Sequence, residues 1–152
     1  PGRLVHGWRS HPGIWNRLAP ALSEAAVPVW KFDYTPVQDA GTKTIALALR
    51  DCIRTKREET GYDGPIDIVC HSLGTCIARY LLEVLDGNRR EEQVRLLVGI
   101  GPPNNGSAMA ELFNDPDRGP EVIRRLAGVF VPEDYAPDDD TMVQEFRPGS
   151  RI

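Results

Sequence analysis

IDIVCHSLGTC, residues 66–76, is the stretch whose reading decides the fold. After the breaker pair Gly64-Pro65, the β-branched residues Ile66, Ile68 and Val69 read as a short buried strand of a parallel sheet. From Leu73 onward the apolar residues Leu73, Ile77, Tyr80, Leu81, Val84 and Leu85 recur at steps of three and four, which predicts a helix with almost no loop before it. So sharp a passage from strand to helix at His71-Ser72-Leu73-Gly74 lifts Ser72 clear of the sheet and exposes its hydroxyl.

The flanking sequence repeats the pattern of strand and helix. Leu4-Val5 ends a strand and runs into His6-Gly7-Trp8, where Gly7 lets the backbone turn tightly and aim the following N–H inward. Ser10 and Pro12 mark a helix start, with Ile14, Trp15, Leu18, Ala21 and Leu22 on one face. Val27–Phe32 is the next strand, placed near an edge or a strand start by Pro28. Thr42 to about Glu59 forms an amphipathic helix on Ile45, Leu49, Cys52 and Ile53, ended by Gly61, with Lys56–Glu59 on its solvated side. Gly87-Asn88 closes the helix after Ser72, Arg89–Glu92 is a charged connector, and Val94–Ile100 is a fourth apolar strand. This alternation predicts an α/β fold: a parallel sheet with helices on both faces and right-handed crossovers.

Beyond Ile100 the character changes. Gly101-Pro102-Pro103-Asn104-Asn105-Gly106-Ser107 is dense in turn residues, and Ser107 is expected to cap a short helix through Phe113. Two further helical pieces fall near Glu121–Ala127 and Asp140–Phe146, between loops rich in Pro and Asp. The expected organisation is one domain: a core over 1–106, then a partial helical cap or connecting segment over 107–152.

At 152 residues and 41% hydrophobic, the chain is long enough to bury a core. A net charge of −4, with basic residues scattered among acidic ones, gives no electrostatic footprint for nucleic acid or an anionic membrane. No apolar run reaches the roughly 20 residues of a transmembrane segment. Cys52, Cys70 and Cys76 are odd in number and lack CxxC spacing, so neither a disulfide framework nor a metal site is expected. Packing thiols suit a reducing, cytoplasmic location, and no cofactor is called for. The chain starts at Pro1 and is in a strand by Leu4, which reads as a piece of something longer.

A serine hydroxyl becomes a useful nucleophile only when a base takes its proton, and the tetrahedral adduct needs N–H donors for its oxyanion. The Leu73 N–H, at the start of a helix, is the natural first donor. The Trp8 N–H is the candidate second, provided that the Leu4-Val5 strand neighbours the Ile66–Cys70 strand. Loss of one such donor costs about 3–4 kcal/mol of transition-state stabilisation.

These residues carry a resemblance to the α/β-hydrolases of the serine esterase and lipase group. Leu4-Val5-His6-Gly7-Trp8 is similar to the oxyanion loop after that family's third strand. Ile68-Val69-Cys70-His71-Ser72-Leu73-Gly74 resembles the G-x-S-x-G nucleophile elbow after the fifth, and Gly101–Ser107 the G-x-P-x-x-G-S segment after the sixth. Cys70 stands where the elbow has its first glycine, a position that needs a small side chain. The resemblance implies ester hydrolysis through an acyl-enzyme at Ser72, on a small-molecule ester or lipid. It also implies a triad acid and histidine later in the chain, and none is there: the only histidines are His6, His11 and His71. His6 is expected to be structural, His11 solvated, and His71 turned away from Ser72. Asp115, Asp117 and Asp138–Asp140 read as solvated loop carboxylates, with no spacing for a calcium loop. Trp8, Trp15, Met109, Leu112 and Phe113 are candidates for an apolar pocket. A hydrolase-like binding module without turnover, and a thioesterase, amidase or acyltransferase on the same fold, are the other readings open to the sequence.

Overall fold

The computed structural model describes residues 1–129 and 131–149, so residues 130 and 150–152 of the expected cap lie outside the described residues. Four parallel strands form one sheet: β1 (Gly2–Val5), β2 (Val29–Phe32), β3 (Ile66–His71) and β4 (Val94–Ile100), in the order β2-β1-β3-β4. The chain winds from β1 outward to β2 and returns to the other side of β1 at β3. The crevice between β1 and β3 is therefore where the winding reverses, the place at which open parallel sheets bind ligands. In register, Val5 lies beside Cys70, so His6-Gly7-Trp8 and His71-Ser72-Leu73 leave neighbouring strands at the same edge of the sheet.

Alternation along the strands divides the core. Val5, Trp30, Phe32, Ile66, Ile68 and Cys70 face helices α2 (Thr42–Thr60) and α3 (Leu73–Arg79). Leu4, Val29 and Val69 face Trp15 and α1 (Leu18–Glu24) on the other side. Arg3 is the exception to the binary pattern. Its guanidinium lies fully buried over the Trp30 ring, 5.5 Å from the centroid, and finds no hydrogen-bond partner among the described residues.

Several boundaries differ from the sequence expectation. The first predicted helix is broken into a 3₁₀ turn, Pro12–Trp15, and α1, and Ile14 is left exposed. The helix after Ser72 is α-helical only to Arg79 and continues to Leu85 with π geometry. Gly61 ends α2 in the left-handed conformation, φ +66°, as expected of a glycine there. Beyond β4 come α4 (Ala108–Phe113), α5 (Gly119–Leu126) and α6 (Thr141–Glu145). Ala110, Phe113, Met142, Val143 and Phe146 from this segment are buried in the same core cluster as α2 and α3.

Candidate active site

Ser72 occupies the turn between β3 and α3 with φ +50° and ψ −124°, a backbone conformation unfavourable for any residue with a side chain. The strand ladder holds it there: the Ser72 N–H donates to the Ile100 carbonyl at 2.8 Å, and the Thr75 N–H donates to the Ser72 carbonyl at 3.0 Å. The Ser72 side chain makes no capping bond to α3.

Gly7 and Gly74 let the turn and the β1 loop approach one another. A Cβ on Gly7 would lie 3.0 Å from His71 Nδ1 and 3.2 Å from Ser72 Cβ. His71 thus rests against the Gly7 loop and is exposed. Cys70, at the position where a glycine was expected, turns into the core, and burial pushes its thiol up to about 12. A thiol so placed packs and does not react.

His6 is scaffold. It is buried and stacked on Tyr34, with ring centroids 4.1 Å apart and planes 7° from parallel. Nδ1 lies 3.0 Å from the Gly7 carbonyl and so carries the proton, while Nε2 accepts the Tyr34 N–H at 3.3 Å. The Tyr34 hydroxyl donates to the His6 carbonyl at 3.1 Å. Burial lowers the His6 pKa, against the opposing pull of the Gly7 carbonyl and of Asp33, whose Oδ1 is 3.5 Å from Nε2. Both ring nitrogens are occupied by the fold. His11 is exposed and accepts the Gly13 N–H at 3.0 Å, capping the first 3₁₀ turn. Among the described residues no histidine is hydrogen-bonded to the Ser72 hydroxyl.

A cavity of about 250 Å³ opens beside the serine. Its lining comes from Trp8, Ser72 and Leu73 at the strand ends and from Met109, Phe113, Met142, Val143 and Phe146 of the segment beyond β4. Of the pocket candidates, Trp8, Met109 and Phe113 are in place. Trp15 is not, because the odd turn of the 3₁₀ segment carries it under the sheet with Leu4 and Ala19, and Leu112 also lies outside the lining.

Asp140 overturns its reading as a solvated carboxylate. It is 1% exposed, and its Oδ1 caps α6 by accepting the Val143 N–H at 3.2 Å. Its Oδ2 accepts the Trp8 indole N–H at 3.2 Å and the Tyr135 hydroxyl at 3.0 Å, with Arg9 Nη2 at 3.5 Å. Burial, reinforced by the Asp140 charge, pushes the Tyr135 phenol well above its ordinary range and keeps it a donor. Ser107 also departs from expectation: its side chain does not cap α4, although its backbone N–H reaches the Phe146 carbonyl at 2.7 Å. Among the described residues no group of three His, Cys, Asp or Glu side chains gathers to hold a metal, and no helix is long and apolar enough to cross a membrane.

A family profile described as the alpha/beta hydrolase family matches residues 4–150. No curated protein matches the sequence. Among solved structures, the chain is similar to the mature lipase BlEst2 of Bacillus licheniformis, with a TM-score of 0.71 and 17% identity over 98% of this chain and 55% of that one. It is similar also to the phospholipase PlaB of Legionella pneumophila, with a TM-score of 0.77 and 21% identity over 98% of this chain and 33% of that one. A monoacylglycerol lipase of Paleococcus ferrophilus aligns with a TM-score of 0.58 and 17% identity over 95% of this chain and 64% of that one. The chain spans between a third and two thirds of the length of these three neighbours.

Proposed function

We propose, from the premise that this chain belongs to the alpha/beta hydrolase family, that it carries the nucleophile and oxyanion hole of a serine hydrolase acting on carboxylic esters. The observation that carries this reading is Ser72 itself, held at φ +50° at the switch point of the sheet and facing an apolar cavity. In the proposed reaction the Ser72 hydroxyl attacks the ester carbonyl and expels the alcohol, leaving an acyl group on Oγ that water then removes. The Leu73 and Trp8 N–H groups receive the oxyanion, and the acyl chain enters the cavity between Trp8 and Phe146.

The general base is proposed to come from outside these 152 residues. His6 is committed to the fold through both nitrogens, His11 caps the Pro12–Trp15 turn, and His71 rests against Gly7 with no hydrogen bond to Ser72 among the described residues. Turnover of p-nitrophenyl esters by the full-length protein tests the reading. Wild type is expected to hydrolyse butyrate or octanoate esters, and Ser72→Ala to lose that activity by at least about 10³-fold. Equal turnover by the two proteins would overturn the assignment, and turnover by neither would favour a binding module.

A further inference from the structure

Trp8 belongs to the loop that leaves β1, yet little in that loop fixes its side chain. What holds it comes from more than a hundred residues later. Its indole N–H is taken by Asp140, and its ring packs against Phe113 at 5.8 Å and Tyr135 at 6.4 Å between centroids. The next residue, Arg9, stands at φ +51°, a conformation that must be imposed from outside. Its guanidinium lies over the rings of Trp8 and Tyr135, at 5.8 and 5.0 Å from their centroids, and its charge is met by Asp39 at 2.5 Å and Asp140 at 3.5 Å. Asp140 is the common member of these contacts. It is also the cap of α6, whose Met142 and Val143 line the same cavity as Ser72.

We propose that Asp140 is a positioning residue for the oxyanion hole, clamping Trp8 and Arg9 so that the Trp8 N–H stays aimed at the reacting carbonyl, and so coupling that donor to the seating of α6. The inference rests on the reading of the Trp8 N–H as an oxyanion donor. A buried carboxylate that accepts three N–H or O–H bonds and faces a guanidinium is well satisfied, so the arrangement persists without substrate. Movement of α6 away from the cavity breaks the Asp140 bonds and frees the β1 loop with them. Seating of the wall and readiness of the donor are one event.

The test uses the full-length protein, with active sites counted by a fluorophosphonate and rates expressed per labelled site. Asp140→Ala should lower kcat per site about 10- to 100-fold while KM stays within about twofold, a smaller loss than removal of a donor outright. Affinity for a trifluoromethyl ketone, which forms an oxyanion on the enzyme, should fall by the same factor as kcat/KM. Trp8→Phe, which keeps a smaller aromatic ring but removes the indole N–H together with the five-membered ring that bears it, should show the same pattern, and the double variant should be no worse than the poorer single one. Should Asp140→Ala not fold, the Trp8→Phe and Tyr135→Phe pair carries the same comparison. A full kcat per labelled site in these variants, with loss confined to the number of labelled sites, would make Asp140 merely structural and overturn the proposal. Absence of any label on wild type would bring down the hydrolase reading itself, and this inference with it.

Discussion

A Cβ added at Gly74 would sit 2.5 Å from the His6 carbonyl oxygen and 2.9 Å from that of Val5. Both neighbours are backbone, so neither can swing away. Gly74 lets the first turn of α3 lie directly on the end of β1, which brings the Trp8 and Ser72 segments together. Gly74→Ala is expected to cost about 2–3 kcal/mol, read as a lowered urea midpoint. His6 supplies a second expectation. Its folded-state pKa is depressed, so the unfolded chain takes up the proton first and the neutral ring's contribution to stability is complete only above about pH 6.5. Stability should fall as the pH drops from about 6.5 through the lowered His6 value, because an imidazolium cannot accept the Tyr34 N–H. Urea midpoints across that window check this, and His6→Gln should flatten the slope.

At the scale of elements, the strands were legible because β-branched runs stand between Gly, Pro and Asn punctuation, whereas their order, with its reversal between β1 and β3, entered the sequence reading only as a condition. Ser72, Leu73 and Trp8 share one cavity because β1 and β3 are paired neighbours. What α6 does was not legible. Asp140 lies in a run of three aspartates that reads as solvent-facing, and its Trp8 partner is 132 residues away. Nothing local distinguishes it from Asp138 or Asp139. The cap of α2 was hidden likewise: Gly41 offers no side chain, and Glu145 of α6 accepts the Thr42 N–H at 2.7 Å and its hydroxyl at 2.5 Å across 103 residues. Glu145→Ala should destabilise the chain by about 1–2 kcal/mol by denaturant titration, with Glu145→Gln recovering most of it, since the amide oxygen still accepts.

Across the whole molecule, one sheet face is covered unevenly. α1 and Trp15 cover Leu4 and Val69, but β4 is the edge strand, and Leu96, Val98 and Ile100 on that side are 52%, 38% and 47% exposed. An apolar row on an unpaired edge invites pairing between chains. The 152-residue chain on its own should self-associate, and Leu96→Lys with Ile100→Lys should shift it towards monomer in sedimentation velocity. A wild-type chain that stays monomeric at high concentration would contradict this. The central claim is that Ser72 is an activated nucleophile, and its most direct test is peptide mass spectrometry of the full-length protein after treatment with a fluorophosphonate. One phosphonyl adduct is expected, on the peptide containing Ser72. No adduct, or an adduct elsewhere, under conditions that fully label a known serine esterase would contradict it.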